Sequence, residues 1–575
     1  MVRLAASLLV ATMPAMAATL PATETAGGLV VTAQHLASDV GAQILRDGGN
    51  AVDAAIAVGY AEAVVNPCCG NIGGGGFMTI RMADGRTAVL DFRETAPGAA
   101  TETMFLGADG KPVADASLFG ARAVGIPGTV AGLELARTAF ATLPRDKLLA
   151  PAIALARDGF VLEPADVDIL DARTRQFAAD PTMAPIFLRP DHSPWRPGDR
   201  LVQADLAATL QRISDAGADG FYAGPVAAAI EATGGPTRAD LLAYRPVTRA
   251  PIRCAWRDMT ILAPPPPSSG GVTLCEIFGV LSGDDLGALG WHGSATAHLM
   301  IEAERNAFLD RNTQLADPAF VADRVQHLLS PDYEKAVRAS IGPRATASAT
   351  LRDTTPPHEK AETTAYVVMD AAGDAASTTY TLNGLFGAMV MAPGTGVLLN
   401  DEMDDFTVAP DTPNLFGLVQ GRANRIAPGK RPLSSMTPIV GVRDGHAVLV
   451  AGSPGGSRII TTVLETVLNL TVFGMTPSEA VAAPRLHQQW LPDTVFAEPF
   501  ALSPDTRAML DAMGTRVTEQ APWGDAVLIT VGPDAKADAK ASSGSDAARS
   551  LGAMRPGLRY GASDPRRPAG SVAVQ

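Results

Sequence analysis

Cysteine and histidine are both scarce in this chain, at four and eight of 575 residues, and aromatic residues make up only 5%. No cysteine pair has the two-residue spacer of a zinc site and no histidine pair has HExxH spacing, so the sequence offers no ligand set for a metal. Basic residues are outnumbered, 46 Lys and Arg against 60 Asp and Glu, and the resulting net charge of −14 would repel phosphate backbones. Nucleic acid is thereby excluded as a partner. No apolar run reaches the roughly 20 residues that cross a bilayer. What is present is globular in kind: 47% hydrophobic and 18% charged residues, with a mean hydropathy of +0.13, which excludes a disordered chain. At roughly 150 residues per domain, the length allows about four domains or one large composite.

Arg3 followed by an apolar run over 4–16 and the small-residue pattern Ala15-Met16-Ala17 reads as a cleaved signal peptide, residues 1–17. The expected location is periplasmic or secreted, with no membrane attachment after cleavage. In an oxidising compartment four cysteines allow three complete pairings. Cys68 and Cys69 are adjacent, and neighbouring Cα atoms about 3.8 Å apart fall short of the usual disulfide span of about 4.4–6.8 Å, so a ring between them is expected to be strained. Cys254 and Cys275 flank the loop 263–271 and either pair or serve as small buried residues.

Along the chain, 29–33 reads as a strand, 37–47 as a helix stopped by Gly48-Gly49, and Asn50 as the N-cap of a second helix. The run Gly73-Gly74-Gly75-Gly76 opens into an apolar strand at 77–80. It lacks the Lys-Ser/Thr of a phosphate loop and reads instead as close backbone packing. The region 120–310 is helix-rich, with apolar stripes over 204–213 and 297–311 and an irregular loop over 264–271. From 312 to 362 the pattern is polar, which predicts an exposed linker. Two β-rich runs, 363–369 and 376–382, flank Gly373-Asp374 and predict an antiparallel hairpin. The Ala/Ser/Asp/Lys-rich stretch 534–549 predicts a mobile insertion.

A strand that opens with Thr363-Thr364 behind a linker suggests one chemistry. Cleavage between Glu362 and Thr363 would give Thr363 a free α-amine, with a reference pKa of about 7.7–8, beside its own hydroxyl. A single residue then supplies both nucleophile and base.

The motifs around it extend the argument. Gly48-Gly49-Asn50-Ala51-Val52-Asp53-Ala54-Ala55, the glycine run before Phe77, Asp91-Phe92-Arg93-Glu94-Thr95-Ala96-Pro97, Gly125-Ile126-Pro127-Gly128 and Thr363-Thr364 come first in order. Tyr380-Thr381-Leu382-Asn383, Leu399-Asn400-Asp401-Glu402-Met403-Asp404-Asp405-Phe406, Lys430-Arg431-Pro432-Leu433-Ser434-Ser435-Met436 and Gly452-Ser453-Pro454-Gly455-Gly456-Ser457-Arg458 follow. With these strings the chain, from about Gly28 to its end, resembles the γ-glutamyltransferase (γ-glutamyl transpeptidase, glutathione hydrolase) family.

The resemblance implies an α+β fold, the αββα sandwich of the N-terminal-nucleophile hydrolases, made of a large chain 18–362 and a small chain 363–575 after self-cleavage. It implies γ-glutamyl donors such as glutathione, with water, amino acids or peptides as acceptors, and no cofactor. Thr363 would be the nucleophile, Thr381 would hydrogen-bond its amine, and Gly455 and Gly456 would meet the oxyanion. A γ-glutamyl group carries a carboxylate and an ammonium on one carbon. Arg93, Ser434 and Ser435 suit the first, and Glu402, Asp405 and Asn383 the second. Two departures stand out: Ala365 where family members often carry His, and Phe416 at an aromatic gate that is often Tyr. A glutaryl-type cephalosporin acylase of the same fold and an inactive secreted binding protein are the alternatives. Retention of Asp405 argues against the first, because its unpaired charge would be costly without a substrate cation. The intact Thr363, Thr381 and Gly455-Gly456 set argues against the second.

Overall fold

The computed structural model describes residues 21–348, 363–533 and 554–575. The expected signal peptide, Glu362 and the 534–549 insertion lie outside the described residues. Among these residues two seven-stranded sheets carry the fold. In the first, Thr363–Met369 pairs antiparallel with Ala375–Thr381, so that Thr363 stands opposite Thr381 and Met369 opposite Ala375. Leu29–Thr32 flanks this hairpin on one side and Gly75–Arg81 on the other. The hairpin expected from the sequence is therefore the centre of a sheet.

Every residue of both hairpin strands is buried, which explains their near-continuous β-branched and small residues. Ala365, Val367 and Met369 pack between the sheets with Val440, Val450, Val527 and Ile529. Tyr366 and Val368 face outward into the apolar layer that includes Ile44, Val52 and Val58 of helices His35–Arg46 and Ala51–Val65. On the far side of the second sheet, Ile261, Leu449 and Leu528 pack with residues of helices Gly270–Leu281, Ser294–Gln314 and Ile459–Thr471. The layering is helix, sheet, sheet, helix, the α+β sandwich that the resemblance implied.

Local chemistry accounts for the elements. The Asn50 side chain accepts from the Val52 and Asp53 amides while Asp53 accepts from the Asn50 amide, a reciprocal cap that starts Ala51–Val65. The glycine run does pack backbone on backbone: a Cβ on Gly74 would lie 1.9 Å from the Thr381 carbonyl oxygen, and one on Gly76 would lie 2.2 Å from that of Thr379.

One expectation needs correction. The stretch 312–348 is no linker: it forms helices Val325–Leu328 and Pro331–Ser340. Leu328 is buried with Val272 and Leu433, and Tyr333 donates to Asp310 at 2.6 Å, so a few anchors order a polar sequence. The cysteine pairing that the sequence leaves open joins Cys68 to Cys69, at a Cα separation of 3.8 Å. The chain turns tightly there, with the Cys69 and Gly70 amides both donating to the Asn66 carbonyl. Cys254 and Cys275 are also joined and tie strand Ile252–Trp256 to helix Gly270–Leu281.

Gly74→Ala should destabilise the protein by about 1–3 kcal/mol or block its accumulation, because overpacking here meets backbone. Gly283→Ala, where an added Cβ meets nothing within 4 Å, is the control. Thermal unfolding of both variants checks this, and equal melting temperatures would contradict it.

Candidate active site

The sheet centre delivers Thr363 to the rim of a small cavity. Thr363, Thr381, Arg93, Asn383, Asp405, Ser434, Ser435 and Gly456 all line it, together with Phe416, Met436 and Ile459. Of the ten residues singled out from the sequence, eight meet there. Gly455 adjoins the lining through Gly456, and Glu402 stands behind Arg93.

Each residue is held by its own local structure. Arg93 follows strand Thr87–Asp91; its amide donates to Asp91 Oδ1 at 3.0 Å and its Nε to the Pro432 carbonyl at 3.3 Å. Its Nη1 lies 2.6 Å from Glu402 Oε2 and 3.6 Å from Glu94 Oε2, and its Nη2 donates to Asp405 Oδ2. The short 3₁₀ turn Glu402–Asp405 brings both acids to one guanidinium. Asp405 Oδ1 also accepts from Asn414 Nδ2 at 2.9 Å, and its carbonyl accepts from Gln420 and Asn424.

The residues assigned to the carboxylate and to the ammonium thus share one charge cluster, with Arg93 clamped between Glu402 and Asp405. Burial pushes the Glu402 and Glu94 carboxyls above the usual range, against the pull of Arg93. Burial alone would lower Arg93, but Glu402, Asp405 and Glu94 hold it well above its ordinary value. Three carboxyls share this one guanidinium.

Asn383 takes a left-handed backbone, φ 79°, and its amide donates to Thr381 Oγ1 at 2.9 Å. Its Nδ2 donates to the carbonyl and carboxylate of Asp401, both at 3.2 Å, which leaves its Oδ1 as an acceptor. Ser434 and Ser435 are braced from behind by the 264–271 loop: the Ser434 carbonyl accepts from the Ser269 amide at 2.8 Å and hydroxyl at 2.6 Å. Gly455 and Gly456 have φ of 132° and 55°, values L side chains rarely adopt, and a Cβ on Gly456 would strike the Phe416 ring at 2.2 Å. Phe416 therefore lies against Gly456 at the rim. Gln489 Nε2 donates to the Phe416 carbonyl at 3.1 Å, while Gln489 Oε1 lies 2.9 Å from His487 Nε2.

His487 is fully buried, and burial, reinforced by Arg458, lowers its pKa to about 3. Ala365 faces the apolar space between the sheets, opposite Gly452, and not the cavity. Sequence reasoning missed the supporting residues Asn414, Gln420, Asp401 and Arg311. Only Asp401 sat inside a quoted motif, and the others carry no spacing signal.

The Gamma-glutamyltranspeptidase family matches residues 37–572. A glutathione hydrolase proenzyme of Pseudomonas sp. (strain A14) is 50% identical over 551 residues, covering 94% of this chain and 93% of that protein. An acylase ACY 1 proenzyme of Pseudomonas sp. (strain V22) is 39% identical over 548 residues, covering 93% and 95%. The crystal structure of a cephalosporin acylase from Bacillus halodurans superposes with a TM-score of 0.81 over 99% of both chains at 24% identity, a likeness of fold alone. Family match, near-full-length identity and the assembled cavity converge: the chain belongs to the γ-glutamyltranspeptidase family.

Proposed function

We propose that the protein cuts itself between Glu362 and Thr363 and then transfers or hydrolyses γ-glutamyl groups through an ester on Thr363. The observation that carries this reading is the meeting of Thr363 and Thr381 with the Arg93–Glu402–Asp405 cluster, Ser434 and Ser435 around one cavity. Self-cleavage begins when the Thr363 hydroxyl attacks the Glu362 carbonyl; the peptide C–N bond breaks, which frees the α-amine and leaves an ester, and water then hydrolyses that ester to the Glu362 carboxylate and the free Thr363 hydroxyl.

In turnover the amine takes the Thr363 hydroxyl proton as Oγ attacks the γ-carbonyl of glutathione or a similar donor. The oxyanion is received at Gly455-Gly456, and the amine returns its proton to the leaving nitrogen. Water or an acceptor amine repeats the sequence and releases the γ-glutamyl group. The substrate carboxylate is assigned to Arg93, Ser434 and Ser435. The ammonium is assigned to Asp405, Glu402 and the Asn383 Oδ1.

A large chain 18–362 and a small chain 363–575 follow from the cleavage. Two disulfides fit an oxidising compartment, which supports export to the periplasm or beyond. Among the described residues no helix is long and apolar enough to cross a membrane. Asp405 does not weigh against the acylase reading as expected, because Arg93 already meets its charge; the γ-glutamyl reading is favoured instead by the 50% identity to a glutathione hydrolase proenzyme, against 39% to an acylase.

Thr363→Ala should yield one uncleaved, inactive chain on denaturing electrophoresis, and Thr363→Ser two chains with partial activity. Normal processing of the alanine variant would refute the assignment.

Asp405→Asn should cost about 2–4 kcal/mol, roughly 30-fold to 1,000-fold in kcat/KM, on γ-glutamyl substrates and clearly less on glutaryl analogues. Equal losses would make Asp405 structural.

With the amine as base, His487→Gln should leave the acidic limb of kcat/KM in place. Its effect belongs to stability. A folded pKa near 3 against an ordinary 6.5 means that the unfolded chain takes the proton first, so stability falls as pH drops from 6.5 towards 3. The variant should flatten that fall in unfolding experiments run across this window. Loss of the acidic limb instead would replace the amine with a His-assisted mechanism.

A further inference from the structure

Arg311 ends a turn of the long helix Ser294–Gln314 and is almost completely buried, at 1% exposure. Its guanidinium donates only to neutral acceptors. Nη1 bonds Asn312 Oδ1 at 2.8 Å and Gln420 Oε1 at 3.1 Å, and Nη2 bonds Ser435 Oγ at 2.9 Å. Nε has no hydrogen-bond partner among the described residues. No carboxylate of the described residues lies within 4 Å of it, whereas Arg93, the other cation at this cavity, is engaged by Glu402 and Asp405.

A buried cation without an ion-pair partner is expensive, since burial costs several kcal/mol that only an opposing charge recovers. Burial does lower Arg311, to about 10, with Asp405 opposing the shift, so the group stays charged at neutral pH. What could supply the missing negative charge is set by Ser435. When Ser435 Oγ accepts from Arg311, its own O–H is free to donate in another direction, and Ser435 lines the cavity. An anion bound by that hydroxyl would sit one hydrogen bond from the guanidinium.

We infer that Arg311 is a positioning and specificity-determining residue for the substrate α-carboxylate, acting through Ser435 and providing the counter-charge that Arg93, shared with two acids, supplies only in part. The inference rests on the γ-glutamyl reading above. It assigns carboxylate recognition to two cations with different tasks: Arg93 lines the cavity beside Asp405, and Arg311 polarises the serine hydroxyl from behind.

The test compares three 4-nitroanilides on the mature two-chain enzyme: γ-glutamyl, glutaryl, which lacks the ammonium, and 4-aminobutyryl, which lacks the carboxylate. Arg311→Gln should lower kcat/KM at least tenfold on the first two, mainly through KM, and less than twofold on the third. Arg311→Lys should recover part of the loss by restoring the charge without the fork. An equal loss on all three anilides, no loss on any, or failure of both variants to mature would overturn the inference and leave Arg311 as a brace between the helix and the 420 loop. The wild-type enzyme checks the underlying reading separately. If it cleaves the 4-aminobutyryl and γ-glutamyl anilides equally well, the cavity does not recognise an α-carboxylate and the substrate assignment itself fails.

Discussion

Antiparallel pairing of Thr363–Met369 with Ala375–Thr381 is the constraint from which the site follows. Because the two strands are central and buried on both faces, their register cannot slip without moving apolar side chains between two different cores. Thr381 is therefore fixed opposite Thr363, and the backbone after it turns at Asn383 into the cavity. The glycines at 74 and 76 approach the carbonyls of this strand so closely that any side chain would push it away. A proposed nucleophile at the first residue of such a strand has a rigid body and an accessible end.

Charge is the second constraint. Arg93 is clamped by Glu402 and Asp405, and removing one partner of a buried pair is far more costly than the pair is stabilising. The cluster is ordered by the short turn Glu402–Asp405 and by amides from Asn414, Gln420 and Asn424, so the residues that shape it come from a loop far along the chain. The same loop carries Phe416 against Gly456. Electrostatics and access to the cavity are thereby built into one segment.

Much of this was legible beforehand where chemistry is local. The hairpin announced itself through β-rich runs around Gly373, the second helix through Asn50, and the packing role of the glycine run through its missing Lys-Ser/Thr. The site residues were found through motif strings, and eight of the ten named residues line one cavity. What escaped was non-local. Helix Pro331–Ser340 is polar apart from Val337 and a few neighbours, so composition resembled a linker, and contacts far along the chain order that region, among them Tyr333 on Asp310, Arg338 on Asp284 and the packing of Leu328. The pairing of the four cysteines stayed open among three possibilities in the sequence, and the turn at Asn66 brings Cys68 and Cys69 together. Arg311 read as one polar residue in a helix because its significance lies in the carboxylate partner it lacks.

The central claim is that Thr363 becomes the terminal residue of a small chain and carries the γ-glutamyl group. Mass spectrometry of the purified protein, quenched in acid during turnover of a γ-glutamyl substrate and digested, addresses it directly. The account predicts a small chain beginning at Thr363, with one γ-glutamyl group esterified to that residue. A chain beginning elsewhere, or an adduct on another side chain, would contradict it.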